Sequence, residues 1–317
     1  MTNMRTLGAS GLQTPPLILG GNVFGWTAKG DTAFDILDAF VAGGGTMIDT
    51  ADVYSAWVDG HRGGESESLI GRWLAKRARR DDVLIATKVG MLPGEGGRKL
   101  EPARVAAAAD ASLKRLQTDY IDLYFAHQDD QDTPLEDTLE AFAKLVAAGK
   151  VRYIGASNYS GPRLGEALAI SAASRLPAYS VLQPELNLMS RATFEGDLQQ
   201  LCIDRNIGVM PYFGLASGFL TGKYRDESDT SKSLRGGSMG KYMNSRGDAV
   251  LAAMDVIAEQ TGASLAQIAL AWNAAQPGVT APIASATSVA QLEDLLGAID
   301  LALSEEQLAK LDEASRG

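Results

Sequence analysis

A single cysteine in 317 residues excludes an internal disulfide. That residue, Cys202, falls in DLQQLCIDRN, a helical pattern, and reads as a buried small hydrophobe rather than a nucleophile. Histidine is nearly as scarce, with two in the chain, so a hydrolase built on several imidazole ligands fits poorly and no metal site is expected. No apolar run approaches the roughly 20 residues that span a bilayer, and the opening MTNMRTLGASG has no apolar signal-peptide core. Positive charge is in deficit. With 29 Lys and Arg against 39 Asp and Glu, the net charge of −10 argues against nucleic acid and acidic membranes as partners. These absences point to a soluble cytoplasmic protein. Also missing is a GxGxxG turn after the first apolar run, where the chain has GGNVFG; a dinucleotide-binding open sheet is disfavoured accordingly.

What is present is alternation. Short β-type runs recur with helical patterns between them: PPLILGG (15–21), TMIDT (46–50), VLIATK (83–88), YIDLYFA (120–126), VRYIGAS (151–157), AYSVLQP (178–184), IGVMPYF (207–213) and VTAPIA (279–284). Repeated βα units of this kind predict an α/β fold, a (β/α)8 TIM barrel forming one domain over 1–317. The doubly wound open sheet is the alternative. RTLGASGLQ, ahead of the first run, predicts a short hairpin over one barrel end. In DTPLEDTLEAFAKLVAAGK, Thr133 and Glu136 form a capping-box pattern, Pro134 takes the first helical position, and Gly149 stops the helix. Ser264 with Gln267 and Ser304 with Gln307 repeat the capping pattern. The stretch from Gly222 to Gly247 reads as a long loop. It carries Lys223, Arg225, Lys232, Arg235, Lys241 and Arg246 against three acids, and it suits a phosphate-bearing ligand or is simply a solvated loop.

Residues at the C-terminal ends of parallel strands face one crevice. Here they are Asp49, Lys88, His127, Asn158, Gln183, Tyr212 and Ser285. A buried lysine needs a counterion, which Asp49 can supply. A cationic lysine beside the phenol of Tyr54 favours the phenolate and is expected to lower the tyrosine pKa from its reference of about 10. A histidine nearby can orient a carbonyl or pass a proton. Asp49, Tyr54, Lys88 and His127 therefore suit proton transfer to a carbonyl oxygen, coupled to hydride addition at carbon. Trp26 and Trp57, after the first two strands, form an aromatic wall for a hydrophobic or ring-shaped substrate beside Tyr54 and His127, or pack under their loops. His61 has no such context and is given no role.

The runs IDTADVY (48–54), ATKVG (86–90), DYIDLYFAHQDD (119–130), VRYIGASN (151–158), LQPELNLMSR (182–191) and PYFGLASGFLTGKY (211–224) resemble the aldo-keto reductases, in the style of the bacterial and potassium-channel β-subunit branches. The resemblance covers nearly the whole chain. It implies a barrel that binds NADP, or NAD, without a Rossmann fold and reduces aldehydes or ketones, or oxidises a secondary alcohol. Tyr54 would be the proton donor, tuned by Lys88 and Asp49, with His127 orienting the carbonyl. Ser157, Asn158 and Gln183 would hold the nicotinamide carboxamide and Tyr212 would stack on its ring. Phe213, Gly214, Leu215, Ser217 and Gly218 would approach the pyrophosphate, with Lys223 and Arg235 of the basic loop closing over it. Ser285, Ala286, Thr287, Gln291 and Asp294 would meet the adenosine end, and Gly21 and Asn22 would line the pocket floor. The 285–287 turn carries neither Arg nor Lys to pair with a 2′-phosphate, and Leu295 stands where the family has an asparagine. The resemblance also implies a second possibility, a nicotinamide-binding regulatory or redox-sensing subunit.

Overall fold

The computed structural model describes residues 3–77, 79–232 and 236–316. A two-stranded antiparallel hairpin, β1 (Arg5–Thr6) and β2 (Gln13–Thr14), comes first. Eight parallel strands follow: β3 (Ile18–Gly20), β4 (Met47–Asp49), β5 (Leu84–Val89), β6 (Ile121–Ala126), β7 (Val151–Ser157), β8 (Val181–Gln183), β9 (Gly208–Val209) and β10 (Ile283–Ala284). Each pairs with its sequence neighbour, and β10 pairs back onto β3. The circle closes between β9 and the approach to β10, where Val209 bridges Val279 and the Ile283 amide donates to Pro211 O at 2.8 Å. Each of the eight predicted runs overlaps one of these strands, with β5 reaching one residue past its run to Val89, and the architecture is a (β/α)8 barrel.

Alternation along the strands decides what faces in. Leu123 and Phe125 of β6 point into the barrel with Ile18, Met47, Ala86, Val181, Met210, Ala281 and Ile283. Tyr124 and Ala126 point outward into the helix layer. The interior is packed solid. A Cβ on Gly155 would lie 2.4 Å from the Phe125 ring, so that strand position has room for hydrogen alone. The hairpin closes the N-terminal end, as predicted. Leu7 joins the interior cluster, and the Ala9 amide donates to Asn206 O at 2.8 Å. Gly8 sits at φ +55, where a Cβ would meet Gly208 N at 2.1 Å. With one end plugged, the strand C-termini form the open end.

Helix starts follow the expected chemistry at Ser264 and Ser304, where both capping boxes form. Thr133 departs from it. Its hydroxyl donates to Asp130 Oδ2 at 2.7 Å instead of capping, and the helix runs Leu135–Ala147 with Pro134 before it. Asp130 also accepts from the Leu100 and Asp132 amides, so this carboxylate draws the threonine into the loop. Cys202 is buried in the helix Asp197–Asp204, and burial pushes its thiol up to about 12, which suits packing rather than nucleophilic chemistry. Among the described residues, no helix is long and apolar enough to cross a membrane.

Candidate active site

Register brings the first charges together. Asp49 ends β4 opposite Ala86, and Lys88 lies two residues further along β5, on the same face. The Lys88 ammonium is fully buried and donates to Asp49 Oδ2 at 2.7 Å, Thr50 O at 2.6 Å and the Tyr54 hydroxyl at 3.2 Å. Gln183, across the barrel, donates to the other Asp49 oxygen at 2.8 Å. Tyr54 comes from the turn after β4, and its ring is 6.0 Å from that of His127, edge to face. The four predicted catalytic side chains therefore meet at one place.

Electrostatics in this pocket is a contest between burial and pairing. Burial pushes the Lys88 ammonium down, but Asp49 and Tyr54 together outweigh it and the net shift is upward. Asp49 moves up, because its desolvation exceeds what Lys88 and Gln183 return. Tyr54 moves up as well. Its desolvation exceeds the pull of Lys88, and Asp49 adds to the rise. This corrects the expectation of a depressed phenol: the sequence pairs the charges but does not say how deeply they are buried. A phenol held above its usual value is fully protonated at neutral pH, which is the state a proton donor needs. His127 is pushed well below its usual value, first by burial and then by Lys88, so the imidazole is neutral. Its Nδ1 is buried without a partner.

A second set of groups forms a continuous rim. Ser157 Oγ donates to Gln183 O at 2.9 Å. Asn158, at φ +57, donates through Nδ2 to His127 O at 2.9 Å and Ser157 Oγ at 3.1 Å, while its Oδ1 accepts from the Tyr212 hydroxyl at 2.7 Å. Past Tyr212 the chain turns sharply. Phe213, Ala216, Ser217 and Gly218 all have positive φ, so the backbone curls around Gly214 and Leu215 into a concave surface of the kind that receives anions. Phe213 packs edge-on to Tyr212 and is largely exposed. The Lys223 ammonium lies over the Tyr224 ring at 5.0 Å, close to Gly218.

On the opposite side, Gly21 and Asn22 lie in a 3₁₀ turn after β3. Gly21 O accepts from Ser66 Oγ, and Asn22 Oδ1 accepts from Ser285 Oγ at 2.6 Å. Thr287 donates through its amide and hydroxyl to Gln291 Oε1. Ala286 is fully buried. Asp294 is drawn to a neighbouring helix, where Gln267 Nε2 donates to its Oδ1 and carbonyl, and Leu295 is in the core. Several charges of the basic loop are engaged with the protein: Arg225 makes two hydrogen bonds to Asp255, Lys241 lies over Tyr242, and Arg246 donates to Leu188 O. Arg235 lies outside the described residues. Trp26 and Trp57 pack edge to face at 5.7 Å, and Trp57 meets Tyr54 at the same separation.

Sequence reasoning passed over a second buried layer. Behind Tyr54 lie Asp52, Glu67, Arg104, Arg115 and Tyr124, with Arg115 donating to Glu67 at 2.6 Å and Arg104 to Asp52 at 3.2 Å. A signal was readable. Arg104, Ala108, Ser112 and Arg115 share one face of the helix Pro102–Leu116, the face that carries its buried residues.

A family model described as the aldo/keto reductase family matches residues 16–316. The chain belongs to the aldo/keto reductase family. Among its relatives is an uncharacterized oxidoreductase, YrpG, of Bacillus subtilis (strain 168), 35% identical over 98% of this chain and 95% of that protein. The L-glyceraldehyde 3-phosphate reductase of Escherichia coli O157:H7 is 32% identical over 98% and 91% of the two chains. A probable voltage-gated potassium channel subunit beta of Arabidopsis thaliana is also 32% identical, over 94% and 91%. An aldo/keto reductase with oxidoreductase relatives is an oxidoreductase of carbonyl compounds.

Proposed function

We propose that this protein reduces aldehydes or ketones to alcohols with NADPH or NADH, and oxidises alcohols in reverse, with Tyr54 as the proton donor. The observation that carries this reading is the buried Lys88 ammonium, which touches Asp49 and the Tyr54 hydroxyl at once. When bound, the nicotinamide supplies or accepts the hydride. The protein's own part is to place and move a proton. As the phenol gives up its proton, negative charge grows on Tyr54 Oη, 3.2 Å from a fixed cation. That attraction is stronger in the transition state than before it, which is the condition for acceleration. Asp49 and Thr50 O hold the cation in place. The neutral imidazole of His127 offers an uncharged N–H donor to the carbonyl. Trp26 and Trp57 bound the substrate side next to Tyr54.

The residues fit a nicotinamide dinucleotide. Ser157, Asn158 and Gln183 present amide and hydroxyl groups beside Asp49, and Tyr212 offers a ring face next to them. The left-handed run after Tyr212, with Gly218 at φ +104, makes the concave backbone a pyrophosphate needs. Titration by intrinsic fluorescence, followed by turnover of an aldehyde panel, tests the reading; a protein that binds neither cofactor contradicts it. Gln183→Ala removes one contact to the carboxamide and loosens Asp49. It is expected to raise the cofactor KM about tenfold with a smaller loss in kcat, and an unchanged cofactor KM counts against that placement. Without a cation in the 285–287 turn, NADPH gains little over NADH. Their Kd values are expected to agree within about tenfold, since a charge-assisted bond is worth roughly 1.5–3 kcal/mol. A thousandfold preference for NADPH, on the order of 4 kcal/mol, contradicts this.

A regulatory or redox-sensing role is the second reading, favoured by the similarity to the Arabidopsis channel subunit. It predicts tight cofactor binding with no useful turnover.

A further inference from the structure

Asp52 stands two residues before Tyr54 in the same turn, and its side chain is fully buried. Its Oδ2 accepts from Arg104 Nη2 at 3.2 Å, while its Oδ1 is buried without a partner. The same guanidinium donates through Nε to Leu92 O at 3.0 Å and through Nη1 to Glu95 O at 3.3 Å. Leu92 and Glu95 belong to the 91–97 segment that follows β5 at the open end of the barrel, a few residues past Lys88. One arginine thus joins the turn that carries Tyr54 to a segment at the mouth of the site.

We propose that Asp52 is a positioning residue: through Arg104 it ties the Tyr54 turn to the 91–97 segment, and its negative charge keeps that tie tight. The proposal rests on the reading of Tyr54 as proton donor. Asp52 does not touch the groups assigned to cofactor or substrate; it acts through Tyr54 and the rim.

The surroundings make this charge conditional. Glu67 faces Asp52 from the helix Glu65–Lys76, and Arg104 and Arg115 face it from the helix Pro102–Leu116. From β6 comes the Tyr124 hydroxyl, buried without a partner, and from β5 the Lys88 carbonyl, which accepts the Asp52 amide at 3.3 Å. Thr87 of β5 donates to Glu67 Oε1, and Arg115 donates to Glu67 Oε2. Burial and then Glu67 push the Asp52 carboxyl up to about 7, against Arg104 and Arg115. A proton has a ready place on the unpartnered Oδ1. Once it binds, Arg104 keeps a neutral acceptor in place of a carboxylate, and that bond weakens. Tyr54 and the rim are then held less tightly, and small misplacements of a reacting group are costly.

The test is steady-state kinetics across pH with an aldehyde and saturating cofactor. Wild-type kcat should fall as pH drops through about 7. Asp52→Asn should lie near the wild type's low-pH level, roughly tenfold or more down at high pH, and lack that acid limb, with cofactor Kd by fluorescence unchanged. Asp52→Glu should restore the limb and part of kcat. Arg104→Lys, which keeps the positive charge but cannot reach all three acceptors, should lower kcat and leave cofactor Kd unchanged. Wild-type kcat at Asp52→Asn with the acid limb intact overturns the proposal. So does a wild-type kcat that is flat from about pH 6 to 8, a result that stands even if the variants fail to fold. Turnover by Tyr54→Phe would topple the underlying reading. An inactive Tyr54→Phe beside an unaffected Asp52→Asn would topple this inference alone.

Discussion

Replacing Tyr54 with phenylalanine is expected to reduce turnover by about a thousandfold or more while leaving cofactor affinity within about twofold; general acid catalysis supplies roughly 10²–10⁴. The change deletes one oxygen. That oxygen accepts a hydrogen bond from Lys88 at 3.2 Å, and it is the only part of the ring that carries a transferable proton. The ring itself keeps its edge contacts to Trp57 and His127, so the wall of the pocket stays in place. None of the hydrogen bonds among Ser157, Asn158, Gln183 and Tyr212 passes through Tyr54, so the nicotinamide end should be undisturbed. Steady-state kinetics and fluorescence titration on one preparation separate the two quantities. Equal losses in affinity and turnover would mean that the phenol binds rather than reacts.

Replacing Lys88 with methionine should have a comparable effect on turnover and a large effect on stability. The ammonium satisfies Asp49 Oδ2 and Thr50 O in a buried site. Without it, the Asp49 carboxylate keeps Gln183 alone. Breaking a buried ion pair from one side costs about 3–5 kcal/mol, because the remaining charge is uncompensated. The loss has a pH signature. Burial already raises Asp49, and removal of Lys88 removes what chiefly opposed it, so the folded-state value rises further. A carboxyl raised on folding favours the folded state most below its unfolded value of about 4 and loses that contribution as pH rises through the folded value. The variant should therefore be closer to wild type at about pH 5 than at pH 8 in denaturant melts. Asp49→Asn combined with Lys88→Met should recover much of the stability and none of the activity. A double variant no more stable than Lys88→Met would show that the destabilisation does not come from a stranded Asp49.

Much of this was legible because strand ends carry chemistry. Asp49, Lys88, His127 and Gln183 follow or end apolar runs, and a barrel sends such positions to one place. The hairpin, the strands and two capping boxes were readable from local patterns. What was not legible depended on depth and on distant competition. The direction of the Tyr54 shift turns on how far its hydroxyl is removed from water, which no spacing reveals. Thr133 had the right neighbours for a cap, but Asp130 took its hydroxyl. Asp52, Glu67, Arg104 and Arg115 were passed over: the shared helix face of Arg104 and Arg115 hints at burial, but each charge finds its partner only in the fold. Asp294, which the resemblance sends to the adenosine end, accepts from Gln267, and Arg225 of the basic loop pairs with Asp255, contacts that spacing alone does not show.

The most direct test is isotope transfer. Wild type and Tyr54→Phe would be incubated with NADPH or NADH carrying deuterium at the reactive C4 position, together with an aromatic and a small aliphatic aldehyde. If this barrel is a carbonyl reductase, deuterium appears at the carbinol carbon of at least one alcohol, from one face of the nicotinamide, and Tyr54→Phe transfers almost none. Tight cofactor binding with no deuterium in any product, or transfer that survives in Tyr54→Phe, would contradict it.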